Sequence, residues 1–136
     1  MNTVRRIRVL IADDEPHVRL VLGAIVKALG AEVVAQAGDG EQAVELYKSL
    51  RPDVAILDIN MPKLRGDEAL ARIMAIDPEA VVIMMTAQDA IDSVTDCLDH
   101  GASHYILKNN RAQVIQALIA QCWPAVRASA LAREAA

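Results

Sequence analysis

Short apolar runs at residues 7–12, 32–37, 54–57, 80–85 and 103–107 alternate with stretches whose apolar residues recur every three to four positions. A run such as Val54-Ala-Ile-Leu57 or Val81-Val-Ile-Met-Met85 is short, bounded by turn signals and apolar at every position. Such a segment has no side suited to water, so it predicts a strand covered on both faces. The periodic stretches between the runs supply the covers. Strands alternating with amphipathic helices predict an α/β fold: a doubly wound five-stranded parallel sheet with helices on both faces.

Pro16 opens the first helix, where its missing N–H costs no bond. Val18, Val21, Leu22, Ile25 and Leu29 form the apolar face, and Gly30 ends it. After the Gly38-Asp39-Gly40 turn, Ala43, Val44, Tyr47 and Leu50 mark a second buried face. A third helix starts near Gly66 with Leu70, Ile73 and Met74 inward, and Asp77-Pro78 breaks it. The fourth uses Ile91, Val94, Thr95 and Leu98 and stops at Gly101; the fifth uses Ile115, Leu118, Ile119 and Cys122. Pro124 is expected to end or kink that last helix. This divides the chain into a domain over residues 1–123 and an alanine-rich tail over 124–136, able to form a further helical turn or two.

Four of the runs end in reactive polar residues. Residues 7–12 lead into Asp13-Asp14, 54–57 into Asp58, 81–85 into Thr86 and 105–107 into Lys108. Open α/β sheets place ligands at the carboxyl ends of their strands, so these side chains converge on one site. Carboxylates that close together raise one another's pKa or demand a counter-ion. An all-oxygen acidic cluster suits a hard divalent cation such as Mg²⁺ or Mn²⁺. A lysine and a hydroxyl complete a site able to hold phosphoryl oxygens, which leaves one carboxylate as a nucleophile that forms an aspartyl phosphate. Singly, each residue has a plainer explanation. Asp13 and Asp14 favour a helix start, Thr86 favours a strand, and Lys108 suits a surface.

Composition removes several classes. At 136 residues the chain is one domain, and with 54% apolar but 2% aromatic residues its core is aliphatic. A net charge of −4 leaves no basic footprint for nucleic acid. No apolar run approaches the ~20 residues of a membrane span, and Arg5, Arg6 and Arg8 lead into no signal-like core. Cys97 and Cys122, with no CxxC pairing, predict reduced thiols in a cytoplasmic protein. Met84 and Met85 read as core filling, and His17, His100 and His104 as surface residues. Asp89, Asp92, Asp96 and Asp99 predict a solvated acidic stripe on the fourth helix, or a face that steers a basic partner.

Over residues 5–122 the sequence resembles the receiver domain of two-component response regulators. The resemblance rests on Asp13-Asp14, on Asp58-x-Asn60-Met61-Pro62-x-x-x-Gly66, on Thr86-Ala87, and on Gly101-Ala102-x-x-Tyr105-x-x-Lys108. It implies the CheY-like strand order 2-1-3-4-5. It implies that Asp58 accepts a phosphoryl group from a phosphohistidine on a sensor histidine kinase or phosphotransfer protein. Asp14, Asp58 and the backbone carbonyl of Asn60 would then ligate Mg²⁺, with Asp13 acting mainly through a bound water. Thr86 and Lys108 would contact phosphoryl oxygens, and Tyr105 would turn inward as Thr86 moves. The plainer reading of Tyr105 is a half-buried core residue. A face of the fourth helix, fifth strand and fifth helix would meet a downstream protein, and a phosphorylation-linked homodimer is also open.

The resemblance makes the chain a signalling phosphoacceptor that catalyses only its own Mg²⁺-dependent phosphotransfer and dephosphorylation. Asn60 and Gln88 stand where the family tunes phosphoryl lifetime. Pro124 and the alanine-rich tail fit either a stand-alone module, expected if the chain is complete, or the front of a longer regulator. One departure is Asn109, where the family usually has proline after the lysine. A cis non-proline bond costs ~3 kcal/mol, so a trans bond and a reshaped loop are expected. Two rival functions suit the same fold class less well. A flavin-binding electron carrier wants a Ser/Thr/Gly-rich phosphate loop, whereas Asp13-Asp14-Glu15 repels a bare phosphate. An aspartyl-phosphate phosphohydrolase wants a second acid at position 60, which is Asn, leaving no obvious general acid for a leaving alcohol.

Overall fold

A computed structural model of the chain describes residues 5–87 and 91–135. Gln88 and Asp89, and the side chains of Ile91, Asp92 and Val94, lie outside the described residues. The elements run β1 (Arg8–Ala12), α1 (Pro16–Ala28), β2 (Glu32–Ala37), α2 (Gly40–Leu50), β3 (Val54–Asp58) and α3 (Gly66–Ile76). They continue with β4 (Val82–Thr86), α4 (Ile91–Asp99), β5 (His104–Leu107) and α5 (Ala112–Ala135). All five strands pair in parallel in the order β2-β1-β3-β4-β5.

Period-two alternation sends each strand's side chains to two separate cores. Leu10, Ala12, Ala55, Leu57, Val82 and Met84 meet α2, α3 and α4 through Tyr47, Leu70, Ile73 and Cys97. Val9, Ile11, Val54, Ile56, Ile83 and Met85 meet α1 and α5 through Leu22, Ile25, Val26, Ile115 and Ile119. The order of strands reverses between β1 and β3, the topological switch point whose carboxyl edge forms a crevice. Two glycines let loops close down on that edge. A Cβ at Gly66 would lie 1.9 Å from the Asp58 carbonyl oxygen, and one at Gly40 would lie 2.0 Å from that of Leu64.

Three expectations are corrected. On α1, Val21 is 40% exposed and Val26 takes the buried place. On α4, among the described side chains, Cys97 is buried at 1% exposed, whereas Thr95 is exposed and Leu98 is 41% exposed. Helix α4 packs against β4 and α3, while Leu98 faces a groove beside Tyr105 and Leu118. Last, of the two outcomes expected at Pro124, an end does not occur: α5 continues through it to Ala135, and the tail is helical as expected. A proline inside a helix removes one backbone bond and costs ~3 kcal/mol. Burial of Trp123, Val126 and Ala130 against β1 and α1 residues opposes that cost. The helix end is also tied to the amino edge of the sheet. Arg133 Nη2 donates to Asp77 Oδ2 at 2.5 Å, Tyr47 Oη donates to the same oxygen at 2.8 Å, and Arg5 bridges Asp53 and Glu134.

By length and composition Ala112–Glu134 is apolar enough to cross a membrane. Here its apolar side packs in the core, where Ile115, Ile119, Cys122, Trp123 and Val126 are all buried. The extension therefore carries stability. Trp123→Ala is expected to lower the unfolding free energy by about 3 kcal/mol, measured by urea denaturation. A loss below ~1 kcal/mol would show that the helix beyond residue 122 is peripheral.

Candidate functional site

Four of the five strands deliver a polar side chain to the carboxyl edge. Asp13 follows β1, Asp58 ends β3, Thr86 ends β4 and Lys108 follows β5. Asp13 and Thr86 are 0% exposed and Asp58 2%, while Asp14 is exposed. Burying two carboxylates side by side is costly unless a counter-charge enters with them. Lys108 supplies it: its Nζ lies 3.1 Å from Asp13 Oδ2, 3.2 Å from Asp58 Oδ2 and 3.1 Å from Glu15 Oε1. The lysine is carried there by the pairing of β5 with β4, and its own N–H donates to the Thr86 carbonyl at 2.7 Å.

The loop after Asp58 is wound tightly under the site. Met61 and Leu64 are buried anchors, Lys63 takes a positive φ of 67°, and Gly66 N–H donates to the Ile59 carbonyl at 2.8 Å. Asn60 N–H reaches Asp58 Oδ1 at 3.3 Å. On the other side Asp13 Oδ1 accepts from Glu15 N–H at 2.9 Å, and Arg19 donates to the Asp13 carbonyl at 2.6 Å. Both carboxylates are therefore held by backbone at one oxygen and by Lys108 at the other.

The electrostatics follow. Burial, and then the charge of Asp13, push the Asp58 carboxyl up to about 6, with Lys108 opposing. Burial also raises Asp13, partly offset by the Glu15 N–H and by Lys108. For Lys108, burial favours the neutral amine, but its bonds to Asp13 and Glu15 and the charge of Asp58 win and hold it above its ordinary value. The ammonium stays charged.

Carboxylate oxygens of Asp13, Asp14 and Asp58 lie within 4.8 Å of one another, the cluster expected from the sequence. Asp13 Oδ2 is buried and, apart from its ion pair with Lys108, has no hydrogen bond aligned on it. An all-oxygen set with an under-satisfied buried carboxylate oxygen fits a hard divalent cation. Thr86 Oγ1 donates to the adjacent Ala87 carbonyl at 3.0 Å, so its hydroxyl is engaged with the chain's own backbone. Tyr105 is 46% exposed and lines the groove between α4, β5 and α5, so a core residue does not describe it. The Lys108–Asn109 bond is trans.

Glu15 is the contact that sequence reasoning missed. In the sequence it is only one more acid in the Asp13-Asp14-Glu15 run, and nothing there predicts its bond to a lysine on the far strand.

The response regulator receiver domain family matches residues 9–120. The chemotaxis protein CheY of Listeria monocytogenes is 43% identical over 113 residues, covering 82% of this chain and 95% of that protein. The response regulator domain of Thermotoga maritima CheB superposes with a TM-score of 0.80 at 36% identity, covering 90% of this chain and 97% of that one. CheY in the CheX–CheY–BeF3–Mg²⁺ complex of Borrelia burgdorferi gives a TM-score of 0.76 at 37% identity, with coverages of 84% and 87%.

A carboxyl whose folded pKa lies above its unfolded value makes the fold less stable as pH rises from the unfolded value through the folded one. For Asp58 that window runs from the ordinary carboxylate value to about 6. Asp58→Asn is therefore expected to stabilise the fold at pH 7–8 by up to ~3 kcal/mol, with the gain fading towards pH 4. Urea unfolding of both proteins across that range measures it. A gain that does not depend on pH would place the strain elsewhere.

Proposed function

The chain belongs to the response regulator receiver domain family of two-component systems, and from that premise we propose that Asp58 is its phosphoacceptor. The observation that carries the reading is the Lys108 ammonium held on two buried carboxylates at the carboxyl edge of the sheet. A receiver is a signalling module, and the flavin carrier and the phosphohydrolase gain no support from the matched relatives.

In the proposed chemistry, an Asp58 carboxylate oxygen attacks the phosphorus of a phosphohistidine on a sensor kinase or phosphotransfer protein. The P–N bond breaks, its electron pair returns to the imidazole, and a P–O bond to Asp58 forms. Asp13, Asp14, Asp58 and the Asn60 carbonyl would hold Mg²⁺, which neutralises charge on the phosphoryl oxygens. Lys108 moves one N–H from a carboxylate to a phosphoryl oxygen. Thr86 gives up its bond to the Ala87 carbonyl and turns its hydroxyl to the same group. Space vacated by Thr86 is what Tyr105 would fill, a local charge change biasing a two-state element. Asn60 borders the phosphoryl group and, with Gln88, bears on its lifetime.

Output would use the face of α4, β5 and α5. A groove of about 370 Å³ lies there, lined by Leu98, Tyr105, Ile106, Leu118 and Cys122. Tyr105 swinging out of that groove changes what a downstream protein or a second copy of the chain can dock against. The module so described works as a cytoplasmic phosphoacceptor and catalyses only its own phosphorylation and dephosphorylation.

Incubation with Mg²⁺ and a small acyl phosphate, followed by intact mass, tests the acceptor. One phosphoryl group is expected on the wild type and none on Asp58→Asn or in the presence of a chelator. Absence of the adduct from the wild type, even with a phosphohistidine donor, would sink the reading. Lys108→Ala is expected to slow phosphorylation tenfold or more, of order the ~2 kcal/mol that a directed cation supplies to a developing anion. An unchanged rate would remove Lys108 from the mechanism.

A further inference from the structure

Lys108 has three N–H donors and three acidic partners, and they are not equivalent. The Asp13 and Asp58 side chains, 1% and 3% exposed, stand at buried strand ends and cannot leave. Glu15, 48% exposed, stands on the loop before α1 and covers the lysine from the solvent side. Its backbone is pinned, because its N–H donates to Asp13 Oδ1 at 2.9 Å and its carbonyl accepts from Val18 N at 3.0 Å. Only the side chain is free to swing. Its second oxygen lies 3.6 Å from His17 Nε2.

We propose that Glu15 is a positioning residue that tethers Lys108 towards solvent and so sets how readily the ammonium passes to an incoming phosphoryl group. The inference rests on Asp58 being the phosphoacceptor. Two effects of Glu15 act in the same direction on each step. It draws the lysine off Asp13 and Asp58 and adds negative charge at the mouth, both of which favour a divalent cation. It competes with the phosphoryl oxygens for Lys108 and repels an anionic donor, both of which oppose phosphorylation. Glu15 thus trades acceptance rate for metal affinity at one site.

The test uses the full chain with Glu15→Gln, which removes the charge, and Glu15→Asp, which keeps the charge but is one methylene too short for the lysine. Calorimetry reads Mg²⁺ affinity of the unphosphorylated protein, and intact mass reads the phosphorylation rate by a small acyl phosphate at saturating Mg²⁺. For Glu15→Gln, Mg²⁺ affinity is expected to fall and the phosphorylation rate to rise, each roughly two- to fivefold, as one half-exposed charge a few ångströms away dictates. Both changes should shrink on going from about 0.05 M to about 0.5 M KCl. Glu15→Asp keeps the charge and loses the tether, so it is expected to fall between wild type and Glu15→Gln in both Mg²⁺ affinity and phosphorylation rate. A Glu15→Asp rate equal to wild type overturns the tether, and unchanged values in Glu15→Gln overturn the whole assignment. If the wild type takes no phosphoryl group, the acceptor reading has failed, while the Mg²⁺ affinities still decide whether Glu15 acts on the pocket.

Discussion

Two carboxylates buried at the ends of adjacent strands, Asp13 after β1 and Asp58 on β3, place the heaviest electrostatic demand on this fold. Neither can be solvated, and each disfavours ionisation of the other. The ammonium that satisfies them comes from β5, at the edge of the sheet and two strands from Asp58. The register of β4 with β5, Thr86 opposite Leu107, is thus an electrostatic requirement as well as a packing one. Any event that moves negative charge at Asp58 pulls on Lys108 and, through the bond from its N–H to the Thr86 carbonyl, on the end of β4.

The opposite edge of the sheet is built on the reverse logic. Asp53 and Asp77 are also buried against a desolvation cost, but hydrogen bonds and charge from arginines hold both below the usual carboxylate range. Arg5 and the Arg8 N–H serve Asp53, while Tyr47 and Arg133 serve Asp77. Carboxylates with depressed pKa contribute stability above their unfolded value, so the amino edge supports the fold at neutral pH. Those with raised pKa, at the carboxyl edge, work against it. Strain sits where chemistry is proposed, and its compensation sits at the other end of the same strands.

Much of this was legible in the chain. Fully apolar runs such as Val54-Ala-Ile-Leu57 have one stable solution, a strand covered on both faces, and the residues that follow them fall at the carboxyl edge by topology alone. The faces of α2 and α5 followed from their spacing; that of α1 did so only in part, since Val21 is 40% exposed and Val26 is buried. The burial of Cys97 on α4 did not follow from spacing, and its neighbour Leu98 turns instead to the groove beside Tyr105. At Pro124 the sequence allowed an end or a kink, and the end did not occur. Local chemistry says stop, but Trp123, Val126 and Ala130 find core to bury and Arg133 finds Asp77, contacts distant in sequence.

The sequence by itself determined the class of fold, the position of Asp13, Asp14, Asp58, Thr86 and Lys108 at one edge, and the acidic, oxygen-only character of the site. These depend on period, punctuation and residue type, which are local properties. Only the tertiary structure decided how the charges are shared: that Lys108 divides itself among Asp13, Asp58 and Glu15, that Thr86 bonds its neighbour's carbonyl, and that Tyr105 stands outward. Such details turn on distances of a few ångströms between residues far apart in the chain, and no spacing along the sequence encodes them.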